Sequence, residues 1–393
     1  MPESYIEPMT DRQSCFKCNK TVTGKKKLSK CSRCHAITYC GQECQRADWP
    51  RHGWNCVPVM VTEIPGKGRG LVAARDIKMG ELIFKDKPSV KLIDQPFRLT
   101  ESDMSSLMRQ IETLPSEAKL QYYNLEVPKD ERINRNLRIL MYFANGKEEE
   151  SKAFKIFISS CRDFKGYQSL FLNLSLVNHS CAPNAVEGVL KPVNGLGTFE
   201  KPLAIELRAM KDISRGDEIT TCSVENIKRF GYQSKNRKAG FKNEYGFDCK
   251  CDVCSGKVSA QEDTMKSLLE LCDSLVPLAQ SKSGWHWPQL AFIRSKIVDL
   301  TLQLHIGKMD DKIGALDWLA KNAQLARDEK LLKKAMATWK QMAEDVKLEK
   351  FQVAYKNMEE SLDKVSSEFK SKKPPTLKEI LFVQSIQWGP LYE

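Results

Sequence analysis

The sequence predicts an α+β chain: a zinc-stabilised amino-terminal segment, a β-rich core with a helical insert, a second cysteine cluster and a carboxy-terminal α-helical bundle. Three observations carry this reading. Paired cysteines crowd the first 56 residues, short apolar runs separated by glycine turns recur between Val61 and Val224, and helical apolar spacing takes over after Ala260.

The amino-terminal pairs are Cys15-x2-Cys18, Cys31-x2-Cys34, Cys40-x3-Cys44 and His52-x3-Cys56. Zinc takes four tetrahedral ligands, and turns this short let both members of a pair reach one metal. Eight ligands therefore make two sites. Ordinary buried cysteines would be scattered along apolar runs, whereas these sit among Lys, Ser, Gly and Gln. A segment of this size cannot bury enough apolar surface to fold alone, so metal binding supplies its folding energy. Spacing alone does not decide which pairs share a metal, and His35, beside Cys34, is a competing ligand for His52.

With 393 residues the chain is long enough for two or three domains with substantial cores. No run of 18 apolar residues and no secretory signal is evident, and the 14 cysteines group into metal spacings, so a soluble, intracellular protein in a reducing compartment is expected. The formal charge of +12 counts every cysteine as neutral. Eleven thiolates against six charges from three zinc ions lower it to about +7, which is mildly basic. No stripe of aromatics interleaved with Arg accompanies that charge, so direct nucleic-acid binding is not expected. Lys25 to Lys27 read as a solvated loop.

After the cysteine-rich segment, Val61 to Ile64, Leu71 to Ala74 and Glu81 to Phe84 read as short strands around the turns Pro65-Gly66-Lys67-Gly68-Arg69-Gly70 and Asp76 to Gly80. Residues from about 100 to 165 are richer in helix formers and read as an insert, with Leu137, Ile139, Leu140, Met141 and Phe143 as a buried stretch. The β pattern resumes at Leu170 to Val177, Leu203 to Ala209 and Glu218 to Val224. In the helical region, Leu268, Leu269, Leu271 and Leu275, then Leu316, Leu319, Ala323 and Leu332, mark the inward faces, and Trp285 and Trp287 serve packing. Pro374-Pro375 ends the run before a last short helix from Leu377 to Val383.

Cys249-x-Cys251-x2-Cys254 offers three sulfurs where a closed structural site needs four. Of Cys161, Cys181, Cys222 and Cys272, only Cys181 lies in a polar, turn-rich context, Asn178-His179-Ser180-Cys181-Ala182-Pro183-Asn184. A zinc joining it to the later cluster clamps the Asn-His segment at the end of the core. Three zincs per chain are expected.

The order of the first four pairs, with Tyr39 before Cys40 and Trp49 before His52, resembles the MYND zinc finger. That resemblance implies interleaved pairing: Cys15, Cys18, Cys40 and Cys44 on one zinc, and Cys31, Cys34, His52 and Cys56 on the other. The Gly66-to-Gly70 turn, the Asn178-to-Asn184 block, Gly216-Asp217-Glu218-Ile219 and the final Cys-x-Cys-x2-Cys follow the order of a SET-domain protein lysine methyltransferase. Together they resemble the SET and MYND (SMYD-type) family over roughly residues 15 to 255. One departure is that the finger precedes the Gly-rich strand, whereas in the best-known members it interrupts the core after that strand. This arrangement is similar to a divergent branch common in arthropods. The implied domains are the finger at 15–56, a SET domain at 61–240 with its insert at about 100–165, a post-SET zinc segment at 241–256 and a helical domain at 260–393.

The resemblance also implies the methyl donor, S-adenosylmethionine, and its contacts. Lys67, Gly68 and Arg69 suit its carboxylate, Asn178 and His179 the adenine edge or ribose, and Phe247 stacks on adenine. Tyr245 matches a tyrosine that lines the donor and lysine channel. A second departure falls at Ser223, where active members carry tyrosine; Tyr232 is the residue nearest in sequence that could substitute. Two functions follow, a protein lysine methyltransferase or a catalytically inactive scaffold in gene regulation. The implied partners are a protein substrate or partner proteins, with proline-rich peptides on the finger. A monomer in the nucleus or cytoplasm is expected, with no membrane association.

Overall fold

The computed structural model describes residues 6, 14–21, 27–53, 56–93, 100–125, 148–164, 167–190, 204–222, 234–256, 259–279, 286–305, 307–368, 380 and 383. These fall into two units, one of residues 1–178, 187–220 and 242–247, the other of 179–186, 221–241 and 248–393.

At the start of the first unit each Cys-x2-Cys pair closes a knuckle. The Asn19 amide bonds the Cys15 carbonyl at 2.8 Å, and the His35 amide bonds that of Cys31 at 2.9 Å. Asn19 and His35 take left-handed backbone, with φ of 56° and 59°. Asn and His enter that region more readily than most side chains. His35 is thus a turn residue, and it is His52, buried at the end of α1 (Gln42–His52), that faces cysteine. Strands β1 (Ser29–Lys30) and β2 (Thr38–Tyr39) pair antiparallel beneath it. Asp48 on α1 is 1% exposed, accepting the Tyr39 hydroxyl at 2.8 Å and Arg51 Nε at 3.1 Å. Burial, and then the Asp48 carboxylate, raise the Tyr39 phenol well above its ordinary pKa.

The core begins with the hairpin of β3 (Val59–Ile64) and β4 (Gly68–Ala73), in register from Val59 opposite Ala73 to Ile64 opposite Gly68. Gly66 and Gly68 have φ of 73°, the left-handed turn geometry that glycine adopts without steric cost. A second sheet contains β5 (Leu82–Asp86), and a third contains β6 (Val90–Ile93).

The helical insert follows. Thr100 caps α2 (Glu101–Glu112) through a reciprocal box with Asp103, and Met104, Leu107 and Ile111 form its buried face. Next come α3 (Ser116–Tyr123) and α4 (Glu148–Ser160), joined where the Tyr122 hydroxyl donates to the Ala153 carbonyl at 2.6 Å. The stretch from Leu137 to Phe143 lies outside the described residues.

Strands β7 (Arg162–Asp163) and β8 (Tyr167–Leu170) complete the third sheet beside β6. Leu174–Leu176 is a 3-10 turn, not the strand that its apolar run predicts. The reason is Asp86, a buried carboxylate that accepts the amides of Asn173 and Leu174, each at 2.9 Å. A short strand β9 (Asn178–His179) follows, and then β10 (Ala185–Leu190) and β11 (Ala204–Ala209), which join β5 in the order β10-β11-β5. Finally β12 (Glu218–Thr221) pairs with β4, placing Glu218 opposite Val72 in a sheet ordered β3-β4-β12-β9.

The second unit holds most of α5 (Ser234–Tyr245), the last cysteine cluster and the helices α6 (Ser259–Ala279), α7 (Trp287–Leu304), α8 (Met309–Leu325), α9 (Glu329–Val346) and α10 (Glu349–Glu368). From α6 onward each helix packs on the next. Left-handed residues His305, Arg327 and Lys347 allow short links between them. Trp287 and Trp339 are among the largest side chains in the core, and Leu316, Leu319 and Ala323 are buried as their spacing predicts. Leu271, however, is 47% exposed while Cys272 is fully buried. The inward stripe of α6 runs through Met265, Cys272 and Ala279 with Leu268 and Leu275 half-buried along it, so Leu271 alone of the four leucines points outward. Trp285 and the Pro374-Pro375 break lie outside the described residues. Among the described residues no helix is long and apolar enough to cross a membrane.

Candidate functional site

Among the described residues three clusters of ligating side chains form. Cys15, Cys18, Cys40 and Cys44 make the first, Cys31, Cys34, His52 and Cys56 the second, and Cys181, Cys249, Cys251 and Cys254 the third. A tetrahedron with Zn–S bonds of about 2.3 Å has an edge of about 3.8 Å. The sulfurs match that spacing: 3.7 Å from Cys18 to Cys40, 3.5 Å from Cys40 to Cys44, 3.8 Å from Cys31 to Cys56, and 3.9 and 3.5 Å from Cys181 to Cys249 and Cys254. In the second cluster His52 Nε2 takes one corner, 3.6 Å from Cys34 Sγ. A disulfide would draw two sulfurs to about 2 Å, so these are metal-sized cages. The Cys34 thiol is held below its ordinary pKa, chiefly by its hydrogen bond with Cys56 and then, against desolvation, by His52, while the same contact raises Cys56. These are zinc-binding clusters.

The glycine hairpin brings together a polar group in the first unit. Lys67 Nζ lies 2.5 Å from Glu218 Oε2, and the Asn178 side-chain amide donates to Glu218 Oε1 at 2.9 Å and to the Arg69 carbonyl at 3.3 Å. The Arg69 guanidinium donates to the carbonyl of Asn124. Gly70 makes this approach possible, because a Cβ there would lie 2.6 Å from Asn178 Nδ2 and 2.7 Å from Ile64 Cγ1. Sequence reasoning missed Gly70 and Glu218 as parts of this group. Both lie inside motifs that it singled out, and the glycine count of the turn was the available signal.

His179 has its imidazole elsewhere. Its Nε2 is 3.5 Å from Cys181 Sγ, and its ring centroid is 4.4 Å from that of Phe241. The side chain serves the third cluster and leaves its backbone for other partners. Phe247 is 37% exposed. Tyr245 is the last residue of α5, and Ser223 and Tyr232 lie outside the described residues.

A hairpin core ending in a four-cysteine cage, preceded by a two-zinc finger, defines a SET-domain protein with a MYND finger. Residues 15–56 match the MYND finger family model, and residues 68–222 match the SET domain model. The chain belongs to the SET and MYND, or SMYD-type, family, with its finger ahead of its SET domain. Among curated relatives, N-lysine methyltransferase SMYD2-B of Xenopus laevis is 25% identical over 288 residues, covering 70% of this chain and 58% of that protein. Histone-lysine N-methyltransferase SMYD3 of Mus musculus is 23% identical over 293 residues, covering 72% and 62%. N-lysine methyltransferase SMYD2 of Homo sapiens is 25% identical over 264 residues, covering 65% and 54%. The chain therefore spans little more than half the length of the relatives it matches.

Proposed function

We propose that the protein is an S-adenosylmethionine-dependent protein lysine N-methyltransferase. The observation that supports this best is the group formed by Lys67, Arg69, Asn178 and Glu218, which draws together the two ends of the stretch that matches the SET domain. The donor supplies an electrophilic methyl on a sulfonium and presents a zwitterionic amino-acid end. Lys67 and Arg69 complement its carboxylate, and Glu218 complements its ammonium, so the existing ion pair is matched to a ligand carrying both charges. Asn178, with the backbone of His179, holds the adenine or ribose edge, and Phe247 stacks on the base. Tyr245 lines the lysine channel, where desolvation favours the neutral amine needed for attack.

The domain boundaries that go with this reading are 61–240 for the SET region, 241–256 for the post-SET segment and 260–393 for the helical domain. Partner proteins, proline-rich peptides among them, dock on the finger. The protein acts as a monomer in the nucleus or cytoplasm.

Ser223 favours a second reading. A serine is several ångströms too short to replace a tyrosine in the channel, and losing one preorganised hydroxyl contact typically lowers rate by about a hundredfold or more. A donor-binding scaffold with little or no turnover is the alternative. Calorimetry with S-adenosylmethionine and its demethylated product, followed by mass spectrometry of a peptide array incubated with labelled donor, tests both. Heat with methylated peptide supports the enzyme, heat without it the scaffold, and no heat with either ligand overturns the donor site.

A further inference from the structure

The third zinc cluster carries a charge problem that the other two avoid. Four thiolates around one zinc leave two negative charges, and Cys181, Cys249, Cys251 and Cys254 are all buried. In the first cluster Cys18 and Cys40 are exposed to water, and in the second His52 replaces one thiolate. A buried dianion needs donors or cations around it.

Helix α5 supplies one. Arg237 is fully buried, with Nη2 3.8 Å from Cys254 Sγ and 2.5 Å from Glu262 Oε1 on α6. The other Glu262 oxygen accepts the amide of Ser234, the first residue of α5, at 2.9 Å. The Arg–Glu pair is neutral as a whole but oriented, with its cation toward the sulfur and its carboxylate at the positive end of the helix. A polar helix such as α5, reading Ser-Lys-Asn-Arg-Lys-Ala-Gly-Phe, has little apolar surface with which to dock. Among its described side chains only Arg237 and Phe241 are buried, and Phe241 packs in the same apolar cluster as Cys181, Cys249 and Cys254.

We propose that Arg237 is the outer-sphere anchor of the third zinc, and that through Glu262 it fastens α5 and α6 to the metal. Arg237 binds no zinc itself; it turns its positive, donating head toward the thiolate of Cys254 and orients it. Packing alone would be served as well by an apolar side chain of similar length, whereas an anchor needs the positive, hydrogen-bonding head.

The test follows chelator-driven zinc release from the full chain with a colorimetric zinc indicator, alongside hydrogen exchange of α5 and α6. In Arg237→Gln, one zinc of the three should leave about tenfold faster or more, as outer-shell changes typically do, while the other two keep their wild-type rates. Arg237→Lys should recover part of the loss, because it keeps the charge without the two-pronged head. Glu262→Gln should fall between wild type and Arg237→Gln. Amides of α5 and the first turns of α6 should lose protection together with that zinc. The assignment is overturned if Arg237→Gln releases all three zincs at wild-type rates, or speeds all three equally. It is overturned too if Arg237→Met holds zinc as tightly as wild type. Should Arg237→Gln fail to fold, Arg237→Lys and Glu262→Gln decide, and wild-type release in both overturns it.

Discussion

Lys67, in the turn between β3 and β4, lies 2.5 Å from Glu218 on β12, and the second oxygen of Glu218 receives Asn178 at 2.9 Å. One carboxylate thus fixes two of the side chains assigned to the methyl donor. Lys67 and Glu218 remain partly exposed, so the pair adds at most about 1 kcal/mol to stability. Its value lies in placement.

Glu218→Gln therefore separates binding from folding. The amide keeps an oxygen for Asn178 but no charge for Lys67 or for an incoming ammonium. Calorimetry should find donor affinity weakened by about tenfold, as loss of one charge-assisted hydrogen bond implies, with thermal stability nearly unchanged. Unchanged affinity would show that Glu218 is only a surface ion-pair partner.

Gly70→Ala should destabilise by about 1–3 kcal/mol, because the new methyl meets Asn178 Nδ2 at 2.6 Å and Ile64 Cγ1 at 2.7 Å. Gly314→Ala is the control. It lies within α8 with nothing inside 4 Å of its Cβ, and should stabilise by about 0.5–1 kcal/mol. Chemical denaturation of both variants checks the contrast, and equal effects would remove the case for close approach at Gly70.

Much of this site was legible because its residues are close in sequence. The finger ligands are written as short pairs, and the β3-β4 hairpin is announced by its glycines. Reading fails where a distant residue decides. Asp86 turns Leu174–Leu176 from strand into 3-10 helix, and Glu218 reaches Lys67 from 151 positions away. It also fails where phase matters: on α6 the rotation of about 100° between neighbours puts Cys272 inward and Leu271 outward, although both are apolar in the sequence. Nor does the sequence show that the ring of His179 lies 3.5 Å from Cys181 Sγ, two residues on. Arg237 gave no signal, since an arginine in so polar a helix reads as solvated.

Metal analysis should give three zincs per chain, and Cys181→Ser should damage the protein far more than Cys161→Ser. The first leaves a three-coordinate metal in a buried cage, while the second removes a half-buried thiol 3.3 Å from Gln168 Oε1. Zinc content and melting temperature measure both. Two zincs or fewer in well-folded wild type, or equal stability of the two variants, would contradict the third site.

The last prediction concerns Ser223, which the proposed reading sets at the position of a channel tyrosine. If the donor site is otherwise competent, Ser223→Tyr restores an aromatic wall and a hydroxyl to the lysine channel and should increase methylation of any substrate that wild type modifies weakly. The change is large, so the pocket must have kept room for a ring. Were Tyr232 already filling that volume, the new tyrosine would overpack the site and lower stability instead. Tyr245→Phe is the companion variant, keeping the ring and removing the hydroxyl proposed to orient the amine. Wild type, Ser223→Tyr and Tyr245→Phe should be compared on one identified substrate at matched donor occupancy. A gain in the first variant and a loss in the second identify a weakened enzyme. A zero rate in all three, with donor bound and substrate docked, leaves the scaffold as the function of this chain.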